Sequence, residues 1–128
     1  MRASHGYALL WDAHSIASRV PRLFDGELPV LNLGTYDGQS CDPVISQALL
    51  KIAEASPYAS VLNGRFKGGY ITRHYGDPAA NVHAVQLELA QRAYMSEKDR
   101  SFDDSLAIVL RQTLQQLLEA FAATAAVQ

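Results

Sequence analysis

The sequence predicts an α/β fold, a sheet flanked by helices, and three observations carry that prediction. Residues 7–12 and 82–89 alternate in the manner of strands. The segments after Asp42-Pro43 and after residue 101 place apolar residues three and four apart, the spacing of helices with one buried face. With two short apolar runs added, the order reads strand, strand, helix, strand, strand, helix, which suits a layered α/β domain.

The first strand, 7–12, puts Leu10, Asp12 and His14 on one face and Leu9, Trp11 and Ala13 on the other. A loop punctuated by Pro21, Gly26 and Pro29 follows, then a short apolar strand at 30–33 and a polar segment at 34–41. Asp42 can accept from free amides at a helix start, and Pro43 suits the first turn. Ile45, Ala48, Leu49 and Ile52 form the buried stripe of that helix, which Pro57 bounds. Residues 60–62 read as a strand ending at Asn63-Gly64, and 65–77 as a long loop rich in Gly, Arg and aromatics. In the strand 82–89, His83, Val85, Leu87 and Leu89 share one face, and Ala84, Gln86 and Glu88 the other. Ser101 or Asp103 caps a long final helix, with Leu106, Val109, Leu110, Leu114, Leu117, Leu118 and Phe121 as a broad apolar stripe.

At 128 residues the chain has room for one domain, and 48% hydrophobic residues suffice for a packed core. A net charge of −2 argues against nucleic acid as a partner. Cys41 is the single cysteine, which excludes an intrachain disulfide and a cysteine-rich zinc site. No apolar run approaches a membrane span, and the first residues hold no apolar signal core, so the expected location is cytoplasmic.

Three constellations could carry chemistry. The first is Asp12-Ala13-His14-Ser15 at the end of the first strand. An imidazole is a common zinc ligand, and a neighbouring carboxylate can hold its other ring nitrogen in the right tautomer. A capping Asp beside a surface His is the competing reading. A Ser15-based triad is a third, although no G-x-S-x-G elbow accompanies it. The second constellation gathers Arg65, Lys67, Arg73 and His74 among glycines and aromatics at 63–76. Arginine forks bind carboxylates through paired hydrogen bonds, and glycines let backbone approach a ligand, so this loop suits a small dianion. A solvated basic loop is the alternative. The third is the face bearing Gln86 and Glu88. A carboxylate buried there has a raised pKa and suits general-base work, whereas one facing water has no such role. His5 reads as exposed, and His83, opposite Glu88, as a core or surface residue.

Together D-A-H-S-I (12–16), V-P-R-L-F-D-G-E-L-P (20–29), L-N-L-G-T-Y-D-G-Q-S-C-D-P (31–43), N-G-R-F-K-G-G-Y-I-T-R-H-Y-G (63–76) and H-A-V-Q-L-E-L-A-Q-R-A-Y-M (83–95) resemble the N-formylglutamate deformylases. The resemblance runs through nearly the whole chain. It implies a mixed sheet flanked by helices, part of a zinc-carboxypeptidase-like (phosphorylase/hydrolase-like) fold. It also implies hydrolysis of N-formylglutamate to glutamate and formate, late in histidine degradation, with zinc held by two histidines and a carboxylate. His14 matches the last zinc histidine, with Asp12 behind it. Glu88 matches the general base. Arg65 and Arg73 match arginines suited to the substrate carboxylates and the developing oxyanion; Arg65 is taken as catalytic, and Arg65, Lys67, Arg73 and His74 of this basic loop as the expected substrate-binding residues.

The family is about twice this length, so the chain is similar to its C-terminal half. The remaining zinc ligands are expected from the missing N-terminal half, and the chain alone is expected to be inactive and to self-associate through uncovered apolar surface. A metal-free carboxylate-binding module and an inert truncated remnant are the competing functional readings.

Overall fold

The computed structural model describes residues 1–127. A short helix α1 (Arg2–His5) precedes β1 (Ala8–Ile16) and β2 (Leu31–Gly34). Then come α2 (Pro43–Ala55), β3 (Ser60–Leu62), α3 (Tyr70–Tyr75) and β4 (Val82–Ala90). A small hairpin of β5 (Met95–Ser96) and β6 (Ser101–Phe102) leads into α4 (Asp104–Ala126).

The main sheet has the order β1-β4-β2-β3. β1 runs parallel to β4, β4 antiparallel to β2, and β2 parallel to β3, so the sheet is mixed as expected. β4 lies inside it and is buried along nearly its whole length. One face carries the core, where Leu31, Leu33, Val85 and Leu87 meet Ile45 and Leu49 of α2 and Leu110, Leu117 and Phe121 of α4. Trp11 extends this core along β1, its ring 5.6 Å from that of Phe121. The small helix α3 packs on β4 and β1.

Both long helices start as the sequence dictates. The Val44 N–H donates to Asp42 Oδ1 at 2.8 Å with Pro43 in the first turn. Of the two capping candidates for α4, Asp103 does the work, accepting from the Leu106 N–H at 3.0 Å. Such a cap stabilises a helix by about 1 kcal/mol.

Three expectations need correction. β1 continues to Ile16, so His14 lies within a strand, where pairing with β4 holds its backbone, and does not sit beyond its end. The segment 65–77 is not all loop, because it contains α3, which starts at Gly69 without a side-chain cap and gives no periodic signal over so few residues. The α4 stripe is narrower than its apolar sequence. Ala107, Leu110, Thr113, Leu117, Phe121 and Ala125 are buried, whereas Leu106, Val109 and Leu118 are exposed. The physical reason is that α4 has only one covered side among the described residues, so an apolar arc wider than that side faces outward. None of the helices described is long and apolar enough to cross a membrane.

Candidate active site

The parallel register of β1 and β4 builds the site. It sets Asp12 opposite Gln86 and His14 opposite Glu88. Strand alternation then sends all four side chains to the face away from Val85 and Leu87. They floor a cleft of about 380 Å³ whose wall is the segment 65–71. A larger depression of about 740 Å³ runs along the outside of α2, but it is lined by that helix alone and gathers no convergent polar groups. The cleft over β1 and β4 is therefore the candidate site.

The His14 Nε2 lies 3.0 Å from Asp12 Oδ1. With Nε2–H donated to the carboxylate, Nδ1 keeps its lone pair, which is the tautomer a metal ligand needs. The imidazole is about half exposed (49%), while Asp12 is largely covered (17%). Glu88 is 8% exposed, which overturns the reading of that face as solvated. Burial pushes its carboxyl above the ordinary carboxylate range, His14 pulling it down and Asp12 pushing it further up.

The wall comes from glycine-permitted contact between backbones. At Gly34 a Cβ would stand 2.6 Å from the Lys67 carbonyl carbon, so residues 67 and 68 lie directly on β2. The Tyr36 N–H donates to the Lys67 carbonyl at 2.7 Å, and the Gly69 N–H to Gln86 Oε1 at 2.8 Å. Below this wall, Asn63 in the left-handed region accepts from the Thr35 N–H at 2.8 Å and donates to its hydroxyl at 2.9 Å. That links the turn after β2 to the end of β3.

Of the expected anion-binding residues, Arg65 and Lys67 line the cleft. The Arg65 Nε donates to the Leu23 carbonyl at 2.6 Å, and its guanidinium lies 5.4 Å from the Phe66 ring centroid. Lys67 pairs with Asp37 at 3.1 Å, with both side chains about half exposed. Arg73 and His74 belong to α3 and do not line the cleft. The Arg73 guanidinium sits 5.8 Å from the Tyr36 ring centroid, and His74 stacks on Tyr70 at 4.9 Å.

Other candidate groups stand apart. Ser15 bonds to the Tyr94 hydroxyl at 2.8 Å and alternates to the face opposite His14, so no triad forms. Cys41 is fully buried, and burial with nearby Asp42 pushes its thiol up to about 12, which makes it no nucleophile. His5 is exposed, as expected. His83 is a core residue, its Nδ1 accepting from the Asp42 N–H at 3.1 Å. The sequence reading missed the bond from Gly69 to Gln86, although a lone Gln in an apolar strand and the paired glycines were its two visible halves.

The described residues contain no group of three His, Cys, Asp or Glu able to hold a metal ion. One imidazole with its carboxylate partner does not complete a zinc site.

The description of N-formylglutamate amidohydrolase fits residues 1–95 as a family model. The chain belongs to the N-formylglutamate amidohydrolase family. It is 60% identical over 124 residues to the N-formylglutamate deformylase of Pseudomonas putida, a match covering 92% of this chain and 46% of that protein. It is 56% identical over 125 residues to the deformylase of Pseudomonas aeruginosa, covering 96% and 47% respectively. Its fold is similar to the crystal structure of N-formylglutamate amidohydrolase from Ralstonia eutropha, with a TM-score of 0.80 at 21% identity over 96% of this chain and 45% of that one. The chain thus spans about half the length of the family relatives it matches.

Proposed function

We propose that this chain forms the part of an amidohydrolase that hydrolyses N-formyl-L-glutamate to L-glutamate and formate, a late reaction of histidine degradation. The observation that carries the reading is the row Asp12, His14, Glu88 facing Arg65 and Lys67 across one cleft. It combines a buried base with cations suited to a dicarboxylate.

In this reading water adds to the formyl carbon and the C–N bond breaks. Glu88 takes the proton of the attacking water and delivers it to the departing nitrogen. Arg65 binds a substrate carboxylate and faces the developing oxyanion. Lys67 exchanges Asp37 for the second carboxylate. Asp12 holds the imidazole of His14 in place.

The family resemblance adds zinc. Because the donor set here is incomplete, the proposal assigns His14 as the one imidazole this chain contributes, with the remaining ligands from outside it. What the ion supplies is water acidified enough to react near neutral pH. The chain by itself is then inactive, and its wider fold is that of a partial zinc carboxypeptidase in the cytoplasm.

The incomplete donor set also favours a second reading, a metal-free module that binds small carboxylates through Arg65 and Lys67. One experiment separates them. The full-length gene product is assayed for formate release from a panel of N-acyl amino acids, with and without chelator, while glutamate binding is titrated in parallel. Chelator-sensitive release from N-formylglutamate supports the hydrolase. Chelator-insensitive binding without release supports the module.

A further inference from the structure

Gln86 is the carboxamide on the floor of the cleft, between Asp12 on β1 and Gly34 on β2. It is 5% exposed. Its Oε1 accepts from the Gly69 N–H at 2.8 Å, and that contact decides which way the amide faces. An N–H needs an acceptor, so the oxygen end must point to Gly69 and the NH2 end away from it. No described group hydrogen-bonds that NH2, which belongs to a residue lining the cleft.

We propose that Gln86 orients the substrate, its carboxamide NH2 donating to a carboxylate or acyl oxygen of an N-acyl amino dicarboxylate held between Arg65 and the His14–Glu88 pair. The proposal rests on the hydrolase reading above and deepens it.

A neutral donor suits this position for an electrostatic reason. A Lys or Arg beside Glu88 and Asp12 would pair with them and be lost to the ligand. An amide donates to an anionic oxygen without adding a charge for those carboxylates to capture. The hydrogen bond from Gly69 also spares Gln86 the ordering cost of being fixed only when ligand arrives. The same bond ties Gln86 to the wall carrying Arg65 and Lys67, so cationic and neutral donors keep a fixed spacing.

The test is a titration of the isotope-labelled full-length gene product, kept metal-free with chelator so that it does not turn over, with N-formyl-L-glutamate and with L-glutamate, followed by NMR. In the wild type the Gln86 side-chain amide and the Gly69 backbone amide should move together along the titration. Gln86→Glu retains an oxygen for Gly69 but replaces the donor with an anion, and should weaken binding about tenfold or more. Its Gly69 amide should stay slow in hydrogen exchange, whereas Gln86→Leu should lose both the affinity and that protection. Binding by Gln86→Glu within about twofold of wild type would overturn the role of Gln86 and leave the hydrolase reading standing. A Gln86 NH2 signal that stays still at saturation would do the same, even if the variants prove unstable. A wild type that binds neither compound removes both the proposal and the reading beneath it.

Discussion

His14 and Glu88 are register partners across the parallel β1–β4 pair, and both line the same cleft. The half-exposed imidazole stands beside a carboxyl that is almost wholly buried. In the proposed hydrolase reading the two environments complement each other, since a buried base must reach the water that the proposed ligand helps to place.

Replacing Glu88 with Gln should therefore separate binding from turnover. The amide preserves volume and most packing but cannot take a proton. In the full-length protein we expect kcat to fall by about 100-fold to 10000-fold, the usual contribution of a positioned base, with metal content unchanged. Because burial raises the Glu88 pKa, the acid limb of the wild-type rate profile should lie above the ordinary value of 4.5. Steady-state kinetics and metal analysis check both statements, and wild-type turnover in Glu88→Gln would refute the assignment.

Metal affinity of the chain alone should be weak. A stable zinc site takes at least three protein ligands, and no group of three exists among the described residues. After dialysis against micromolar zinc, elemental analysis should find well under one ion per chain. A tight one-to-one complex would show that the cleft rearranges to recruit Glu88 or a further side chain.

Much of this geometry was legible because strand alternation is a strict rule. The order of residues 12, 14, 86 and 88 places each side chain on a defined face, so the pairing of Asp12 with His14 followed once β1 was a strand. The caps Asp42 and Asp103 were legible for a similar reason, since their chemistry is local. Arg73 and His74 read as part of the same basic loop as Arg65 and Lys67, because a basic stretch does not reveal the six-residue helix that carries its later members. The outer side of α4 was misread because periodicity reports how wide an apolar arc is, not how much of it a neighbour covers. Glu88 was left open between solvent and core, because alternation assigns a face but not what covers it, and its 8% exposure decides that.

Self-association should follow from the exposed apolar surface. Ile108, Val109 and Leu118 on α4 stand 55%, 43% and 45% exposed, and β1 is a nine-residue edge strand paired on one side only. Both features favour contact with another polypeptide. Sedimentation should show oligomers that grow with concentration. The double variant Ile108→Glu, Leu118→Lys should reduce them without lowering the melting temperature by more than a few degrees. A clean wild-type monomer at high concentration would count against the idea.

Stability should fall on mild acidification because of His83. This imidazole is 1% exposed, accepts from the Asp42 N–H at Nδ1, and lies 3.4 Å from Asn81 Oδ1 at Nε2. It is thus held neutral, with its proton on Nε2. Burial lowers its pKa below the ordinary 6.5, against the pull of Asp42. In the unfolded chain the same group takes up its proton near 6.5, so below that pH the unfolded state binds more protons than the folded one. The contribution of neutral His83 is complete above 6.5 and is lost as pH falls toward the depressed folded value, at a slope of up to about 1.4 kcal/mol per pH unit. Protonation of Nδ1 would also put an N–H against the Asp42 N–H at the start of α2. Urea unfolding between pH 7 and 5 should show this slope in the wild type. His83→Gln, less stable throughout, should show a shallower one, since groups other than His83 titrate equally in both. Parallel curves would mean that His83 is not held neutral in the fold.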